Sequence, residues 1–283
     1  MDFNPIMTYK AVLEEPEFNK ISKFINANFG IKLPDHKRIM IQGRLVNRLV
    51  KLNFQSFEEY TKYVFSDEGK VLELPHMIDL ISTNKTEFYR ESIHFEFLKN
   101  TVIPHFINNS KSQNLKIWSA ACSSGEEVYS IAMEVNDVLT QHQDYDYSVL
   151  GTDISTRMLT KALKAIYPLS HTKSIPLKTK KKYFLKNKDS SKDEVRIKKI
   201  LRDKVSFLRH NLMDENYNFN GKFDVIFCRN VLIYFSKKDQ MHVLQNLSKK
   251  LNPGAYLFLG HSESITHLNL PLVNVSQTVF QKQ

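Results

Sequence analysis

Four short segments of this chain carry side chains at places where a ligand could bind, and the first runs from Ser119 to Glu127. Its residues are small, and small side chains let a backbone approach a ligand closely, as glycine does in nucleotide-binding loops. Glu126 and Glu127 then open a predicted helix, where they would repel a pyrophosphate but suit a cationic cofactor or the helix dipole. The segment therefore disfavours a dinucleotide or P-loop site, and by itself it is also consistent with an ordinary strand–helix turn.

Asp153 ends a second predicted strand, 28 residues after Gly125. An acidic residue at that position can accept hydrogen bonds from both ribose hydroxyls of a nucleoside. The same residue can also cap the helix that follows, and the sequence leaves both uses open.

The other two segments are Cys228–Asn230, at the end of a strongly apolar strand, and Thr83–Arg90. Arg229 and Asn230 would emerge at the ligand edge of a sheet. Tyr234 follows shortly after, but an aromatic residue in an apolar run is more often part of a core. Arg90 offers a planar cation that can hold a carboxylate. Asn84 and Thr86 offer neutral hydrogen bonds or a helix cap.

A ribose-binding acid and a small-residue loop, without a phosphate-binding glycine run, together indicate S-adenosylmethionine, which is a cation without phosphate. No Walker lysine loop, Gly-x-Ser-x-Gly elbow or zinc-type spacing competes with this interpretation. No metal site is predicted, since the two cysteines, Cys122 and Cys228, stand singly at strand ends.

The elements that must position these residues alternate between strand and helix after residue 112. Strands are predicted at 115–118, 147–153, 205–208, 223–228, 255–259 and 277–281, and helices at 126–139, 156–165 and 238–251, with Pro253-Gly254 ending the last helix. This alternation predicts a doubly wound α/β sheet, which binds ligands at the carboxyl ends of its strands. Glu194–Ile197 alternates in polarity and indicates a small hairpin within an insertion of about 170–204.

Residues 1–92 are predicted to form a helical domain, followed by a linker over 93–112 and the α/β domain over 113–283. Apolar residues recur every three or four positions from Phe18 to Phe29. Asp35 is predicted to cap a helix that runs to about Leu52. On that helix Lys37, Arg44 and Arg48 share one face, a pattern that more often marks a solvated surface.

Composition is that of a globular protein, with 42% hydrophobic and 25% charged residues and a net charge of +10. Residues 161–210 hold 16 Lys and Arg against 4 Asp and Glu, so this segment alone has a net charge of +12. Such a balance suggests nucleic acid, an acidic membrane, an acidic protein partner or simply a solvated surface. No transmembrane segment or signal peptide is predicted, and the two cysteines fit a reducing cytosol.

In order along the chain, these segments resemble the CheR-type chemotaxis receptor methyltransferases. The matching runs are LPDHKR, RLVNRL, TNKTEFYRE, WSAACSSGEEVYSIAM, GTDIS, AIYPLS, FDVIFCRNVLIYF and GHSES, from about residue 33 to 264. Any one run is weakly specific, whereas their ordered combination is highly specific.

The resemblance implies methyl transfer from S-adenosylmethionine to glutamate carboxylates on the cytoplasmic helices of chemoreceptors, by a cytoplasmic monomer. It implies a Rossmann-like methyltransferase sheet with an inserted β-subdomain, preceded by an all-helical domain. It places Arg90 and Tyr234 near the transferred methyl and Lys37, Arg44 and Arg48 toward the receptor. The implied cofactor contacts are Asn84, Thr86, Arg90, Glu127, Asp153, Asn211, Leu212, Arg229 and Asn230.

Two departures and two alternatives accompany this resemblance. Cys122 replaces a small residue of many relatives. The loop Lys186–Asp193 lacks the glycines typical of members that bind a receptor's C-terminal tail through the β-subdomain, which counts against tail binding. A nucleic-acid methyltransferase would explain the charge, but the Asn-Pro-Pro-Tyr-type motif is missing. A non-catalytic cofactor sensor is disfavoured by Arg90 and Tyr234.

Overall fold

The computed structural model describes residues 11–189, 191–219, 221–263 and 270–283, so Ser264 of the GHSES run lies outside the described residues. The chain divides into two compact units. One comprises the residues up to Thr83 together with Tyr234–Asp239, and the other comprises Asn84–Ile233 and Gln240–Gln283. Within the described part of the chain, no helix is long and apolar enough to cross a bilayer.

The first unit is helical, as predicted. Its helices are α1 (Glu15–Phe29), α2 (Arg38–Leu52), α3 (Phe57–Val64), α4 (Asp67–Leu72) and α5 (Leu74–Ile81). The three-to-four spacing of apolar residues buries Phe18, Ile21 and Ile25 of α1, and α2 buries Ile41, Leu45 and Leu49. Gly30 ends α1 in the left-handed region at φ 68°, which glycine adopts without a steric cost.

Asp35 is not the predicted helix cap. It is the first residue of a short 3-10 helix, Asp35–Lys37, and the N-cap position of this turn is occupied by Pro34. Pro34 stands before that turn in extended geometry, so α2 itself begins only at Arg38. The prediction was wrong because it treated the two helical turns as one element.

The second unit contains a seven-stranded sheet in the order β6-β2-β1-β7-β8-β10-β9. Its strands are β1 (Asn114–Ala120), β2 (Asp146–Asp153), β6 (Val205–Arg209), β7 (Phe223–Cys228), β8 (Leu251–Leu259), β9 (Leu272–Ser276) and β10 (Val279–Lys282). The first five strands in this order pair in parallel, with Ile117 opposite Val149 and Val225, and β10 runs antiparallel to β8 and β9. The predicted doubly wound α/β sheet is thereby confirmed.

Helices follow most of the parallel strands of this sheet. They are α8 (Glu126–Leu139), α9 (Thr156–Lys164) and α12 (Lys237–Lys250), with α10 (Leu177–Tyr183) and α11 (Lys199–Arg202) in the insertion. The buried-strand pattern of β7 gives a core in which the rings of Phe227 and Phe258 stack at 4.3 Å. Trp118 of β1 is also fully buried, and its ring packs against Phe219 and Phe223.

The insertion forms a second sheet of three strands rather than a hairpin. Its order is β3 (Ile166–Pro168), β5 (Glu194–Ile197) and β4 (Phe184–Lys186), all antiparallel. Val195 and Ile197 are buried while Glu194 and Arg196 are exposed, as their alternation predicted. Strand β3 begins at residue 166, a little before the predicted insertion.

The predicted linker over 93–112 is largely helical instead. Helix α6 (Ile93–Phe97), a π-helical turn (Leu98–Val102) and α7 (Ile103–Asn109) follow one another directly. Phe95, Leu98 and Ile103 are buried in the core of the second unit, so this segment belongs to the α/β unit and the division falls at Thr83. The polar run after Asn109 misled the prediction because it marks only the end of a helix.

Pro253 and Gly254 do not end a helix as predicted but lie inside β8. Helix α12 ends at Lys250, and the pairing of β8 with β7 is irregular between Phe223 and Val225. Such an irregularity accommodates proline, because proline has no N–H to donate to the hydrogen bonds between the strands.

Candidate active site

Asp153 is fixed at the carboxyl edge of the sheet by two backbone amides. Its Oδ2 accepts a hydrogen bond from the Ser123 N–H at 2.8 Å, and its Oδ1 accepts one from the Ser155 N–H at 2.9 Å. The cap of α9 is Ser155, whose hydroxyl accepts the Met158 N–H at 3.2 Å. Of the two uses that the sequence left open, capping therefore falls to Ser155, and Asp153 faces the loop after β1.

That loop runs from Ala121 to Gly125 and reverses the chain sharply. Ala121, Ser123 and Gly125 all have φ in the left-handed region, at 65°, 49° and 93°. A Cβ on Gly125 would also lie 2.8 Å from the Cβ of Ala162, so both backbone angle and space require glycine there. The single glycine of the segment stands where it is needed.

Glu126 and Glu127, which open α8, point to different partners. Glu127 accepts from the Ser119 hydroxyl at 2.7 Å and from Arg229 Nη1 at 2.9 Å. Glu126 is buried and accepts from the Ser124 hydroxyl at 2.7 Å, with His171 Nδ1 at 3.6 Å. Glu127 is thus the residue of this pair that joins the β1 and β7 strand ends.

Arg229 is the centre of a buried ionic network. Its side chain is 1% exposed and lies between Glu127 and Glu91, whose Oε2 accepts from Nη2 at 2.9 Å. Nη2 also donates to the Arg90 carbonyl, whereas Nε has no partner among the described residues. Two carboxylates therefore hold the one guanidinium, and the Arg90 backbone is tied to it.

Glu91 also binds the neighbouring Asn230, whose Nδ2 donates to Oε1 at 2.9 Å. Burial disfavours the ionised carboxylate, but the hydrogen bonds from Asn230 and Arg229 outweigh it and lower the pKa of Glu91 to about 2. Glu91 is therefore a carboxylate at neutral pH, and it brings together two of the predicted cofactor residues.

The carboxylate of Glu263 holds the loop after β7 by accepting hydrogen bonds from the backbone of that loop. Oε2 accepts from the N–H groups of Asn230 and Gly260 at 2.9 and 2.7 Å, and Oε1 accepts from Leu232 and Ile233 at 2.7 and 3.3 Å. Burial raises the pKa of this carboxyl. Asn230 itself has φ 58°, a left-handed angle that this set of hydrogen bonds stabilises.

The segment Asn84–Glu91 meets the same edge. The Asn84 carbonyl accepts from the Ser123 hydroxyl at 3.0 Å, and the Tyr89 N–H donates to Ser130 Oγ at 3.1 Å. Tyr89 and Glu91 have φ of 55° and 57°. Backbone strain of this kind concentrates at functional sites.

The remaining predicted residues of this unit either follow the end of β6 or lie in the segment just before Glu91. The His210 N–H donates to the Asp153 carbonyl at 3.0 Å, which places Asn211 and Leu212 just after the end of β6, at the same edge. Leu212 is buried and Thr86 is half-buried. Arg90 Nη1 donates to the Lys85 carbonyl at 3.0 Å.

Tyr234 and the three predicted basic residues belong to the helical unit, where Lys37 ends the 3-10 turn before α2 and Arg44 and Arg48 lie on α2. The Lys32 N–H donates to the Tyr234 carbonyl at 3.0 Å, and Lys37 Nζ lies 5.9 Å from the Tyr234 ring centroid. Arg44 Nη1 donates to three carbonyls at the end of α5, of which that of Ile81 is nearest at 2.7 Å. Arg48 pairs with the buried Glu73.

Sequence reasoning missed Glu91 and Glu263, although each stands inside a run that carried the resemblance. Both are acids that bind other site residues. Glu91 follows Arg90 directly, and a second acid close to a predicted cation was the available signal. Nothing in the sequence indicates that Glu263, far along the chain, accepts backbone N–H groups from residues 230–233.

These residues fit a positively charged nucleoside better than a nucleotide phosphate. The Ser123 N–H, which a phosphate loop would aim at its ligand, is taken by the Asp153 carboxylate. Glu91, Glu126, Glu127 and Asp153 add negative charge, and Arg229 is neutralised by two of them.

Comparison with known proteins gives matches over both units. The family described as "CheR methyltransferase, all-alpha domain" matches residues 16–82, and "CheR methyltransferase, SAM binding domain" matches residues 84–280. The two matches meet where the structure divides, between Thr83 and Asn84.

Three curated relatives carry the name chemotaxis protein methyltransferase. That of Borreliella burgdorferi is 39% identical over 89% of this chain and 89% of its own length. Those of Escherichia coli and Salmonella typhimurium are 36% and 35% identical over 97% of this chain and 93% and 92% of theirs.

Proposed function

We propose that this chain, which belongs to the CheR methyltransferase family, transfers methyl groups from S-adenosylmethionine to glutamate side chains of chemoreceptors. The observation that carries this proposal is the match of both units to chemotaxis methyltransferases over nearly the whole chain. The acidic site at the carboxyl edge of the sheet supports it. The acceptor glutamates would lie on the receptors' cytoplasmic helices, and the enzyme would act as a cytoplasmic monomer.

The cofactor would lie along the strand ends that Asp153 and Arg229 mark. Asp153 would accept the ribose hydroxyls, as its place at the end of β2 favours. Glu127, Arg229 and Asn230 would line the amino-acid end, and the two residues after His210 would border the base. Asn84 and Thr86 would close the site from the other side. When bound, S-adenosylmethionine supplies a methyl group on a positively charged sulfur.

Arg90 is the cation best placed to receive the acceptor carboxylate. Arg229 is already paired with two carboxylates, whereas the Arg90 side chain donates only to the Lys85 carbonyl among the described residues. Its other N–H groups are available to hold a carboxylate in the planar geometry that arginine favours.

No general base is needed for this reaction. A glutamate is ionised at pH 7, so its oxygen is already nucleophilic. Catalysis would come from alignment of that oxygen with the methyl group, which Arg90 would provide and Tyr234 would complete with a hydrogen bond. An attraction that held the carboxylate too tightly in the ground state would slow the step, so the role of Arg90 is positional.

The receptor would meet a basic surface formed by Lys37, in the turn before α2, and by Arg44 and Arg48 of α2. Arg44 donates to backbone carbonyls and has no ion-pair partner among the described residues, whereas Arg48 is paired with Glu73. Lys37 and Arg44 would therefore contribute most to attraction of an acidic helix, and Arg48 would mainly hold α2 in place.

The small sheet is the proposed place for a receptor's C-terminal tail. Ile166 and Leu185 are exposed on either side of Arg196, because the register pairs both with that residue. Binding of a tail peptide to the protein would establish this contact. The loop Lys186–Asp193, which lacks glycine, counts against it.

One assay tests the proposal. Tritiated S-adenosylmethionine is supplied with chemoreceptor membranes, with nucleic acid, or with neither. Label on receptors that is released by base as methanol supports glutamate methyl esters. Label on nucleic acid, or cofactor binding without any transfer, would support one of the two alternative functions instead.

A further inference from the structure

Glu91, His94 and His261 converge on one point of the second unit. His94 Nδ1 lies 3.6 Å and His261 Nε2 lies 3.9 Å from Glu91 Oε2, and all three ligand atoms lie within 4.8 Å of one another. Ligand atoms of a tetrahedral ion lie about 3.3 Å apart when each bond is about 2.0–2.1 Å. Modest side-chain shifts would therefore bring these three atoms to one ion.

His94 has an unsatisfied nitrogen that faces this point. The side chain is 1% exposed, and Nε2 lies 3.0 Å from the Thr278 hydroxyl. Nδ1 has no hydrogen-bond partner among the described residues, although Glu91 Oε2 is its near neighbour. A buried nitrogen without a partner costs free energy, and a bound cation would remove that cost.

The imidazole of His94 is also in the form that binds metals. Burial, and then the nearby Arg229 charge, lower its pKa to about 4, so the ring is neutral at pH 7. His261 is 40% exposed, which leaves the point open to ions from solvent and lets this ring rotate.

The donor set suits Zn²⁺. Two imidazoles and one carboxylate, with water as a fourth ligand, are zinc ligands in proteins. The softer thiols do not compete, because Cys122 and Cys228 are buried and burial raises the pKa of both. This site could not be predicted from the sequence, since 170 positions separate Glu91 from His261.

An ion at this point would compete with Arg229 for the same oxygen. Glu91 Oε2 accepts from Arg229 Nη2 at 2.9 Å, and the two positive charges would repel each other. Binding of the ion would thus loosen Arg229 from Glu91, and with it the loop that carries Asn230.

We propose that Glu91, His94 and His261 form an inhibitory Zn²⁺ site whose occupation weakens the binding of S-adenosylmethionine. The zinc contacts are argued from the positions of these three side chains, whereas the inhibition rests on the cofactor site and the function proposed above. Because the coupling is thermodynamic, zinc and cofactor must weaken each other by the same factor.

The experiment measures binding, so it does not depend on receptor methylation. Zinc affinity of the whole protein is determined by competition with a chromophoric zinc indicator, and cofactor affinity by calorimetry with and without zinc. His261→Ala should lose about tenfold or more in zinc affinity, as changes at metal sites do. His171→Ala, an exposed histidine 3.6 Å from a buried glutamate, is the matched control and should stay within about twofold.

A second readout does not depend on any variant. Co²⁺ in place of zinc should give the visible bands of a tetrahedral ion in the wild type, and His261→Ala should weaken them. The proposal is overturned if wild type binds no zinc saturably, if His261→Ala binds zinc as wild type does, or if zinc leaves cofactor affinity unchanged. If the wild-type protein binds zinc as expected but does not methylate receptors, that result would contradict the proposed function and leave the zinc site standing.

Discussion

Arg229 carries a full charge inside the protein, and two carboxylates share it. Breaking such a pair from one side is costly, because a buried charge is left uncompensated. The side chain of Arg90, one residue before Glu91, donates to a single carbonyl among the described residues, that of Lys85. The sequence pointed to the two arginines in separate segments, and only their contacts distinguish Arg229, which is held by two carboxylates, from Arg90, which we propose receives the substrate.

Arg90→Ala should lower methyl transfer to the receptor by about 100-fold or more, because the acceptor oxygen would no longer be aligned. The free energy of unfolding should change little, since only one surface hydrogen bond is lost. Arg90→Lys should not restore the rate, as lysine cannot bind a carboxylate in a planar fork. Initial rates of methyl transfer at saturating cofactor measure the first effect, and urea unfolding measures the second. Near-wild-type turnover of Arg90→Ala would show that Arg90 does not align the acceptor carboxylate.

Glu91→Gln should destabilise the protein at pH 7 by about 2 kcal/mol, the scale of a charged hydrogen bond. The pKa of Glu91 falls from 4.5 to about 2 on folding, so its contribution is complete above pH 4.5 and declines as the pH falls toward 2. The gap between wild type and variant in free energy of unfolding should therefore be wide at pH 7 and narrow at pH 3. A gap independent of pH would show that the Glu91 charge does not matter.

At the scale of elements, the site is made from the ends of strands and from the strained turns that follow them. Five non-glycine residues with positive φ lie in the turns after β1 and β7 or in the segment before α6: Tyr89, Glu91, Ala121, Ser123 and Asn230. The strands themselves were predictable, since β7 is observed at the predicted residues 223–228. The turns were not, because their angles depend on distant acceptors such as Glu263.

Glu263→Gln should weaken cofactor binding by about tenfold, because its amide group can no longer accept from all four backbone N–H groups that fix the β7 turn. Asp224→Asn is the matched control. Asp224 also accepts a backbone N–H, from Lys116 at 2.9 Å, but it lies near the amino end of β7. Calorimetry should find its cofactor affinity unchanged, and an equal loss in both variants would mean that the effect is general destabilisation.

At the scale of the molecule, sequence periodicity predicted both units but placed their division about ten residues late. Helix α6 looked like linker because its buried face packs on a sheet that is distant in sequence. Tyr234–Asp239 joins the helical unit although it follows β7 in the chain. Spacing predicted that Lys37, Arg44 and Arg48 share a face. It did not indicate their partners within the molecule: Arg44 donates to carbonyls at the end of α5, and Arg48 pairs with Glu73 in the turn between α4 and α5.

The positive charge of residues 161–210 is only partly compensated by acidic side chains among the described residues. Lys199 pairs with Asp203 at 2.5 Å, but Lys178 is exposed and has no ion-pair partner among the described residues. The Michaelis constant for receptor should rise with ionic strength, because screening weakens attraction between exposed charges. Lys178→Gln should raise that constant at low salt more than Lys199→Gln does. A constant that is insensitive to salt would assign this charge to solubility.

The most direct test identifies the modified residue itself. The wild-type enzyme is incubated with S-adenosylmethionine and the cytoplasmic domain of a chemoreceptor, and mass spectrometry of the digested receptor locates the methyl groups. Methyl esters on glutamate side chains of the receptor helices, lost on base treatment and missing with Arg90→Ala, are the predicted result. Methylation of other residue types, or a receptor left unmodified by an enzyme that binds the cofactor, would contradict glutamate methylation by this protein.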